Sequence, residues 1–191
     1  MFKHIDINHP QVVKYAVNVL LKGGVIIYPT DTLYGFGANA TDDEAVDKIN
    51  QIKGRSGPMS VMAADENMAI DWMDVEDEHI EAVKPYLGGA KTLIVPINQN
   101  IVSTKILGED NTLGIRIPNN KFCNEMSSQF GKPIVSTSVN RTSEQPMNDI
   151  VQIQSEFSSE VDLIIDGGTL PKSKGSTIYK LLDNNIIILR K

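Results

Sequence analysis

Cysteine is almost missing from this sequence. Cys123 stands alone, which excludes an intramolecular disulfide and a multi-cysteine zinc site. Histidine is scarce as well. His4, His9 and His79 have no second metal ligand at useful spacing, and His79 sits among acids in a surface-helix pattern. All three read as solvated side chains rather than as a catalytic base or metal ligands. No apolar run approaches the roughly 18 to 20 residues that a membrane span needs. The amino terminus lacks the charged start and apolar stretch of a secretion signal, so a cytoplasmic protein without membrane attachment is expected. Positive charge is in deficit, with 18 Lys and Arg against 24 Asp and Glu, a net charge of −6. Proteins that coat nucleic acid neutralise phosphates with basic side chains; the balance argues against that class, but not against a local basic pocket for one nucleotide.

The common nucleotide signatures are also absent. There is no G-x-x-x-x-G-K-S/T, which excludes a P-loop. Gly35, Gly37 and Ala40 do fit a relaxed G-x-G-x-x-A. A dinucleotide turn, however, follows its strand at once, and here six residues, Pro29 to Tyr34, intervene. Where an acidic ribose ligand is expected, roughly 20 residues on, the chain offers Lys53 and Arg55.

What is present alternates helix and strand patterns. Apolar spacing predicts a helix over Val12 to Leu21, stopped by Gly23 and Gly24. A strand follows at Val25 to Tyr28, ended by Pro29. Thr41 to Glu44 reads as a capping box for a second helix, with Ala45, Ile49 and Ile52 on one face and Gly54 beyond its end. Strands are predicted at Met59–Met62, Thr92–Ile97, Leu113–Ile117, Ile134–Thr137 and Leu163–Ile165. Two short helices are predicted within Asp65–Leu87, and others at Phe122–Phe130 and Asp149–Phe157. Ser176–Leu182 and Ile186–Arg190 flank an Asn-rich turn as a terminal hairpin. Interleaving without repeats or linkers predicts one α/β domain over residues 1–191, with a mixed sheet.

Several segments carry more polar chemistry than packing needs. Pro29 to Gly37 follows a strand and is dense in hydroxyls and glycine, in the position where α/β folds place ligands. Lys53 and Arg55 stand at a helix end, where cations also complement the macrodipole. Arg116 lies inside the apolar strand Leu113–Ile117, where an unpaired charge is costly. It must meet either a structural carboxylate or an anionic ligand. Ser136 to Asn140 reads as a capped turn or a cluster of ligand contacts. Ser176 and Arg190 flank the final hairpin.

In this order the segments resemble the YrdC/Sua5 family of threonylcarbamoyl-AMP synthases. The family pattern runs Pro-Thr-(Asp or Glu)-Thr-x-Tyr-Gly-Leu-Gly, Lys-x-Arg, Gly-x-Arg-x-Pro, Ser-x-Asn, Ser-Thr-(Val or Ile) and a closing Leu-Arg. Here these are Pro29–Gly37, Lys53 with Arg55, Gly114–Pro118, Ser138 with Asn140, Ser176–Ile178, and Leu189–Arg190.

The resemblance implies a twisted mixed sheet with flanking helices and an open ligand cleft. It implies that threonine and bicarbonate form an N-carboxylate, which attacks the α-phosphate of ATP, expels pyrophosphate and leaves threonylcarbamoyl-AMP for tRNA modification to N6-threonylcarbamoyladenosine. Such chemistry works by positioning and fixed cations, without a protein nucleophile. Lys53, Arg55, Ser138 and Asn140 match the set placed around the phosphates and reacting carboxylate. Thr32, Arg116, Ser136 and Ser176 match the threonine positions. Arg55, Thr112, Ser138 and Arg190 match nucleotide contacts. Magnesium is expected to arrive with ATP, held by phosphate oxygens and water rather than by protein carboxylates. The product's expected partners are tRNA or the tRNA threonylcarbamoyl transferase complex.

Three departures stand out. Arg55 to Met59 is two residues shorter than the usual segment, Met62 stands where longer members carry a histidine, and the loop Arg141–Gln145 is longer. Residues 56 to 62 therefore receive no role. Longer members also have a second carboxy-terminal domain, and a single-domain form is expected here. Two other readings remain: a related carbamoyl-adenylate-forming enzyme, and an RNA-binding module of the same fold.

Overall fold

A computed structural model describes residues 4–191, and the first three residues of the amino-terminal segment lie outside the described residues. In chain order it contains β1 (His4–Asp6), α1 (Val12–Leu21), β2 (Ile26–Pro29), β3 (Tyr34–Gly37), α2 (Asp43–Lys53), β4 (Ser60–Met62), α3 (Glu66–Trp72) and α4 (Asp77–Val83). There follow β5 (Lys91–Pro96), β6 (Thr112–Arg116), α5 (Lys121–Phe130), β7 (Ile134–Ser138), α6 (Ile150–Phe157), β8 (Leu163–Asp166), β9 (Thr177–Leu182) and β10 (Asn185–Arg190).

The strands join in one sheet, in the order β1-β8-β2-β3-β7-β4-β6-β5-β9-β10. Parallel pairs (β1–β8, β2–β8, β4–β6, β5–β9) mix with antiparallel ones (β2–β3, β3–β7, β4–β7, β5–β6, β9–β10). The mixed α/β sheet is thus as expected. Both faces of its centre are covered, because successive side chains of a strand point to opposite sides. On β2, Ile26 and Tyr28 pack with α1 and α5 through Leu20, Phe122 and Met126. Ile27, between them, packs on the other side with α2 and α6 through Val46, Ile49 and Phe157. The uninterrupted apolar run of β2 is what burial on both faces requires.

Local signals explain where the helices begin and end. Asp42 caps α2, its Oδ1 accepting from the backbone N–H of Glu44 at 3.0 Å and of Ala45 at 3.2 Å. The capping-box reading of Thr41 is corrected: its hydroxyl donates to Asn39 Oδ1 at 2.9 Å. Asn120 caps α5 by accepting from Cys123 N–H at 3.1 Å. Gly54 and Gly131, at φ of 67° and 69°, close α2 and α5 in the left-handed conformation.

Two strands were not foreseen. Three-residue β1 is held by pairing with β8, 160 residues further along, which no local pattern announces. β3 lies inside the segment read as a loop: Tyr34 to Gly37 pairs with Pro29 to Ile26, so β2 includes Pro29 and turns back through Thr30 to Leu33. Thr30 builds that turn. Its Oγ1 accepts from Thr32 N–H and Leu33 N–H and donates to Leu33 O at 2.7 Å.

Candidate active site

The β2–β3 turn, the segment after α2, strands β4 to β7 and the terminal hairpin enclose one cleft of about 250 Å³. On β7, Ser136 and Ser138 share a face because they are two residues apart. β4 lies beside them with Ser60 opposite Ser136, and on its other side Met62 pairs with Arg116 of β6. Gly114 gives Ser60 its room, since a Cβ there would lie 2.6 Å from Ser60 Oγ. Four wall residues are cations, Arg55, Arg116, Lys174 and Arg190, and among the described residues no Asp or Glu lines the cleft.

Arg116 is 8% exposed. Its Nη2 lies 2.5 Å from Asp31 Oδ1 and 3.2 Å from Thr32 Oγ1. The other oxygen of Asp31 accepts from Asn119 N–H at 2.9 Å. A structural carboxylate is therefore present. It does not complete the site, because Arg116 Nε is buried without a hydrogen-bond partner. An unmade buried hydrogen bond costs about 1–3 kcal/mol, a penalty that a bound acceptor would remove. The sequence left a carboxylate and a ligand as alternatives, and the geometry has room for both.

Lys53 departs from its expected place. It is 3% exposed and absent from the cleft wall. Its Nζ donates to Ser138 O at 2.7 Å, Asn140 O at 3.0 Å and Asn140 Oδ1 at 3.1 Å, above the Phe36 ring. Burial, then the nearby charge of Arg55, push its pKa down to about 8. Three acceptors take all three ammonium protons, so the side chain is charged near neutrality and has no donor left for a ligand. The helix-capping role is equally set aside, because the ammonium reaches across to β7 instead of the end of its own helix. Asn140 also stands behind the wall, with Nδ2 donating to Arg141 O at 2.7 Å and Glu144 O at 3.0 Å.

Arg55, one residue beyond the cap, does face the cleft, as do Ser138, Thr32, Arg116, Ser136, Ser176 and Arg190. Ser176 and Arg190 are tied together, with Arg190 Nη2 donating to Ser176 O at 2.8 Å. Ser176 Oγ lies 2.7 Å from Thr92 Oγ1. Thr112 does not reach the cleft. It lines a more apolar neighbouring cavity of about 410 Å³ with Met59, Ile94, Ile106, Ile178 and Leu189. Pro58, Met59, Ser60 and Ile178 border both spaces.

Within residues 56–62, for which the sequence offers no role, Pro58 to Ser60 form part of both walls. Thr92 and Lys174 were missed as well. Thr92 reads as an ordinary strand residue, and only its pairing register places it behind Ser176. Lys174 sits in an irregular stretch where a solvated lysine is unremarkable. The histidines lie outside the cleft: His4 pairs with Asp166 at 3.0 Å. His79, partly buried in the first turn of α4, lies beside the exposed Glu76 and Glu78, their possible ligand atoms within 4.8 Å of one another, a closeness the spacing did not suggest.

The cleft at the strand ends is lined by hydroxyls and cations and adjoins a more apolar cavity across four shared wall residues, an arrangement with the chemistry to receive a small polyanion that carries an apolar group. Comparison with known proteins places the chain in a family. The family model Sua5_yciO_yrdC, described as "Telomere recombination", matches residues 18–191. A protein of Methanocaldococcus jannaschii named putative threonylcarbamoyl-AMP synthase is 33% identical over 183 residues, covering 95% of this chain and 86% of its own. The crystal structure of Escherichia coli YciO superposes with a TM-score of 0.86 at 28% identity, covering 100% of this chain and 95% of that one. The fold is also that of P. abyssi Sua5 complexed with L-threonine, with a TM-score of 0.85 at 24% identity and 57% of that longer chain covered. The chain belongs to the Sua5/YciO/YrdC family.

Proposed function

We propose that this chain is an L-threonylcarbamoyladenylate synthase, forming threonylcarbamoyl-AMP and pyrophosphate from L-threonine, bicarbonate and ATP. The observation that carries the reading is the cleft's charge: four cations, of which Arg116 alone is ion-paired to a carboxylate behind the wall, and no described carboxylate in the wall itself, in a protein of net charge −6. Every substrate of this reaction bears an anionic group, and growing charge at phosphorus is stabilised by fixed donors. Arg116 suits the threonine carboxylate, because a guanidinium offers a planar fork and one of its buried donors is unpaired. Thr32, at 3.2 Å from its Nη2, and the hydroxyls of Ser136 and Ser176 line the same cleft. Arg55, Lys174 and Arg190 suit the phosphates, and the apolar cavity beside Thr112 suits the base. The name carried by the M. jannaschii relative supports the same reading.

The wall also bears on magnesium. Its hydroxyls provide no anionic ligand set, so the ion would travel on the phosphate oxygens of ATP and on water, supplying charge neutralisation there. The product is consumed in tRNA modification, through tRNA or a tRNA threonylcarbamoyl transferase complex. No described helix is long and apolar enough to cross a membrane, consistent with work in the cytoplasm.

The test is pyrophosphate release from ATP, with threonine and bicarbonate added singly and together, without tRNA. Release that needs both substrates is expected. Carbamoyl phosphate replacing the pair would move the assignment to a carbamoyl-adenylate-forming enzyme, and release only with RNA would favour an RNA-binding module.

A further inference from the structure

The two edges of the sheet are built differently. At one end β1 is only three residues long and leaves His4 and Asp6 exposed, a short polar edge of the kind that resists pairing. At the other end β10 is six residues long, and its stretch Asn185-Ile186-Ile187-Ile188-Leu189 contains no charge and no proline. Ile187, Ile188 and Leu189 are 38%, 50% and 54% exposed, and Leu182 of the adjoining β9 is 47% exposed. The turn between the two strands fixes which backbone groups face outward. Asp183 and Asn184, both at positive φ (48° and 62°), form a two-residue hairpin turn. Leu182 and Asn185 flank it as a hydrogen-bonded pair. By alternation Ile187 bonds to Lys180, while Ile186 and Ile188 direct their N–H and C=O groups away from β9. Among the described residues no strand lies beyond them.

We propose that this edge is an interface with a second copy of the chain, in which β10 pairs antiparallel with the partner's β10 about a two-fold axis through Ile187. The strand's own features select that occupant. Outward-facing residues pair only with outward-facing ones. Centring on Ile187 sets Ile186 and Ile188 opposite the partner's Ile188 and Ile186, so that every outward N–H and C=O of the two residues is satisfied. A slip of two residues in either direction runs into the bulge at Leu189 or into the hairpin turn. The same register lays Lys191 of each copy alongside the partner's Asp183, matching opposite charges at both ends of the paired stretch. Ile187 meets the partner's Ile187 at a close, non-hydrogen-bonded position, where apolar side chains gain most from contact. A strand of another protein could satisfy the backbone, but the charge match and the two-fold centre are properties of this strand with itself. The interface also bears on the cleft, because β10 carries Leu189 into the apolar cavity and Arg190 into the cationic cleft. Pairing on its outer side steadies a strand that is otherwise bonded on one side only, whichever substrate the cleft takes.

The experiment is sedimentation velocity of the whole chain from low micromolar to submillimolar concentration. A reversible dimer is expected, and a weak one, because a single strand edge buries less than the roughly 1,200 Å² at which standard interfaces begin. Ile187→Lys sets two ammonium groups face to face on the axis and should weaken association by about 10-fold or more, with the melting curve at low concentration unchanged. Cysteine pairing tests the register. Across the axis the two Ile187 Cα atoms would lie about 4.5 Å apart, inside the roughly 4.4–6.8 Å that a disulfide spans. The two Ile188 Cα atoms would lie roughly 8 Å apart, beyond that span. Oxidised Ile187→Cys should therefore run as a covalent dimer on a non-reducing gel, and Ile188→Cys as a monomer. Cys123, the only native cysteine, is buried and does not compete. A chain that stays monomeric across the whole range overturns the proposal. A dimer that Ile187→Lys leaves intact has its interface elsewhere and overturns it too, and equal cross-linking of the two cysteine variants overturns the two-fold centre on Ile187. Should Ile187→Lys not fold, Ile187→Cys, the smaller change, carries the test.

Discussion

Arg116 and Asp31 meet at 2.5 Å across 85 positions of sequence, with side chains only 9% and 11% exposed. The pair fixes the guanidinium of β6 against the β2–β3 turn and leaves Nε unpartnered in the buried interior. Arg116 thus has two duties. A lysine ammonium in its place can keep Asp31 but cannot also offer a second, rigidly spaced donor. Arg116→Lys is therefore expected to fold, to lose threonine affinity by roughly 10-fold or more, and to keep ATP affinity. Calorimetric titration with each ligand separates these outcomes, and equal loss for both would indicate general collapse of the cleft. Asp31→Asn leaves the guanidinium buried without its counter-charge and is expected to cost roughly 3–5 kcal/mol of stability in denaturant titration.

Lys53 has its own pH signature. Its pKa in the fold is about 8, below the ordinary value of 10.5. Between about pH 8 and 10.5 the unfolded chain holds this proton and the folded chain releases it, so the group's contribution to stability rises with pH across that window. Below about pH 8 both states are protonated and the burial penalty is constant. Other groups also titrate in this range, so the measurement is a difference. Subtracting the unfolding free energy of Lys53→Met from that of the wild type should leave a quantity that shifts in favour of the wild type from pH 8 to 10.5. A flat difference would mean that burial does not perturb this lysine. Turnover should fall above pH 8 in the same variant-dependent way, because a neutral amine has too few protons for all three acceptors.

Gly37 tests the close packing that orients the signature turn. A Cβ at this position would lie 2.7 Å from Tyr28 Cε1 and 3.0 Å from Ile26 Cγ1. Both neighbours are fully buried in the adjoining strand. Neither can yield without disturbing the packing under α1 and α5. Gly37→Ala is expected to destabilise by about 1–3 kcal/mol through overpacking, read as a lower denaturation midpoint at unchanged m-value.

Much of this was legible in the sequence, and the remainder was hidden for identifiable reasons. α1, α2 and α5 declare themselves through apolar spacing with capping and stop residues, and the interior strands through β-branched runs. The sequence shows that Arg116 cannot lie unpaired in its strand, but not that Asp31 is the partner, because the turn formed by Thr30 brings them together. Lys53 is the clearest case. A lysine at a helix end is legible as a cation; where its four-carbon stem leads depends on β7 lying beside β3, a consequence of sheet order. β3 was obscured by the glycines of Tyr34 to Gly37, which weaken any strand pattern. Lys174 and Thr92 enter the site by register alone.

Arg55 and Lys174 both line the cleft, and their surroundings give them different expected effects. Arg55 follows the left-handed Gly54 that ends α2, in a short segment leading to β4. It is partly buried, with Nη1 near the space above Gly57. Held between two secondary elements, it can direct a guanidinium at charge that develops during reaction. Removing one such donor typically lowers turnover about 100- to 1,000-fold. Lys174 is exposed, in the irregular stretch between β8 and β9. A mobile, hydrated ammonium there attracts phosphates without being fixed against the transition state. Its removal is therefore expected to raise the KM for ATP a few-fold, with an effect that fades at high salt as an exposed charge is screened, and to leave kcat close to the wild-type value. Steady-state kinetics of Arg55→Ala and Lys174→Ala at low and high ionic strength, with melting curves alongside, distinguishes the two roles. Equal, salt-sensitive KM effects in both variants would demote Arg55 to a steering charge. A fall in melting temperature that accounts for the lost activity of Arg55→Ala would return it to a structural role at the end of α2.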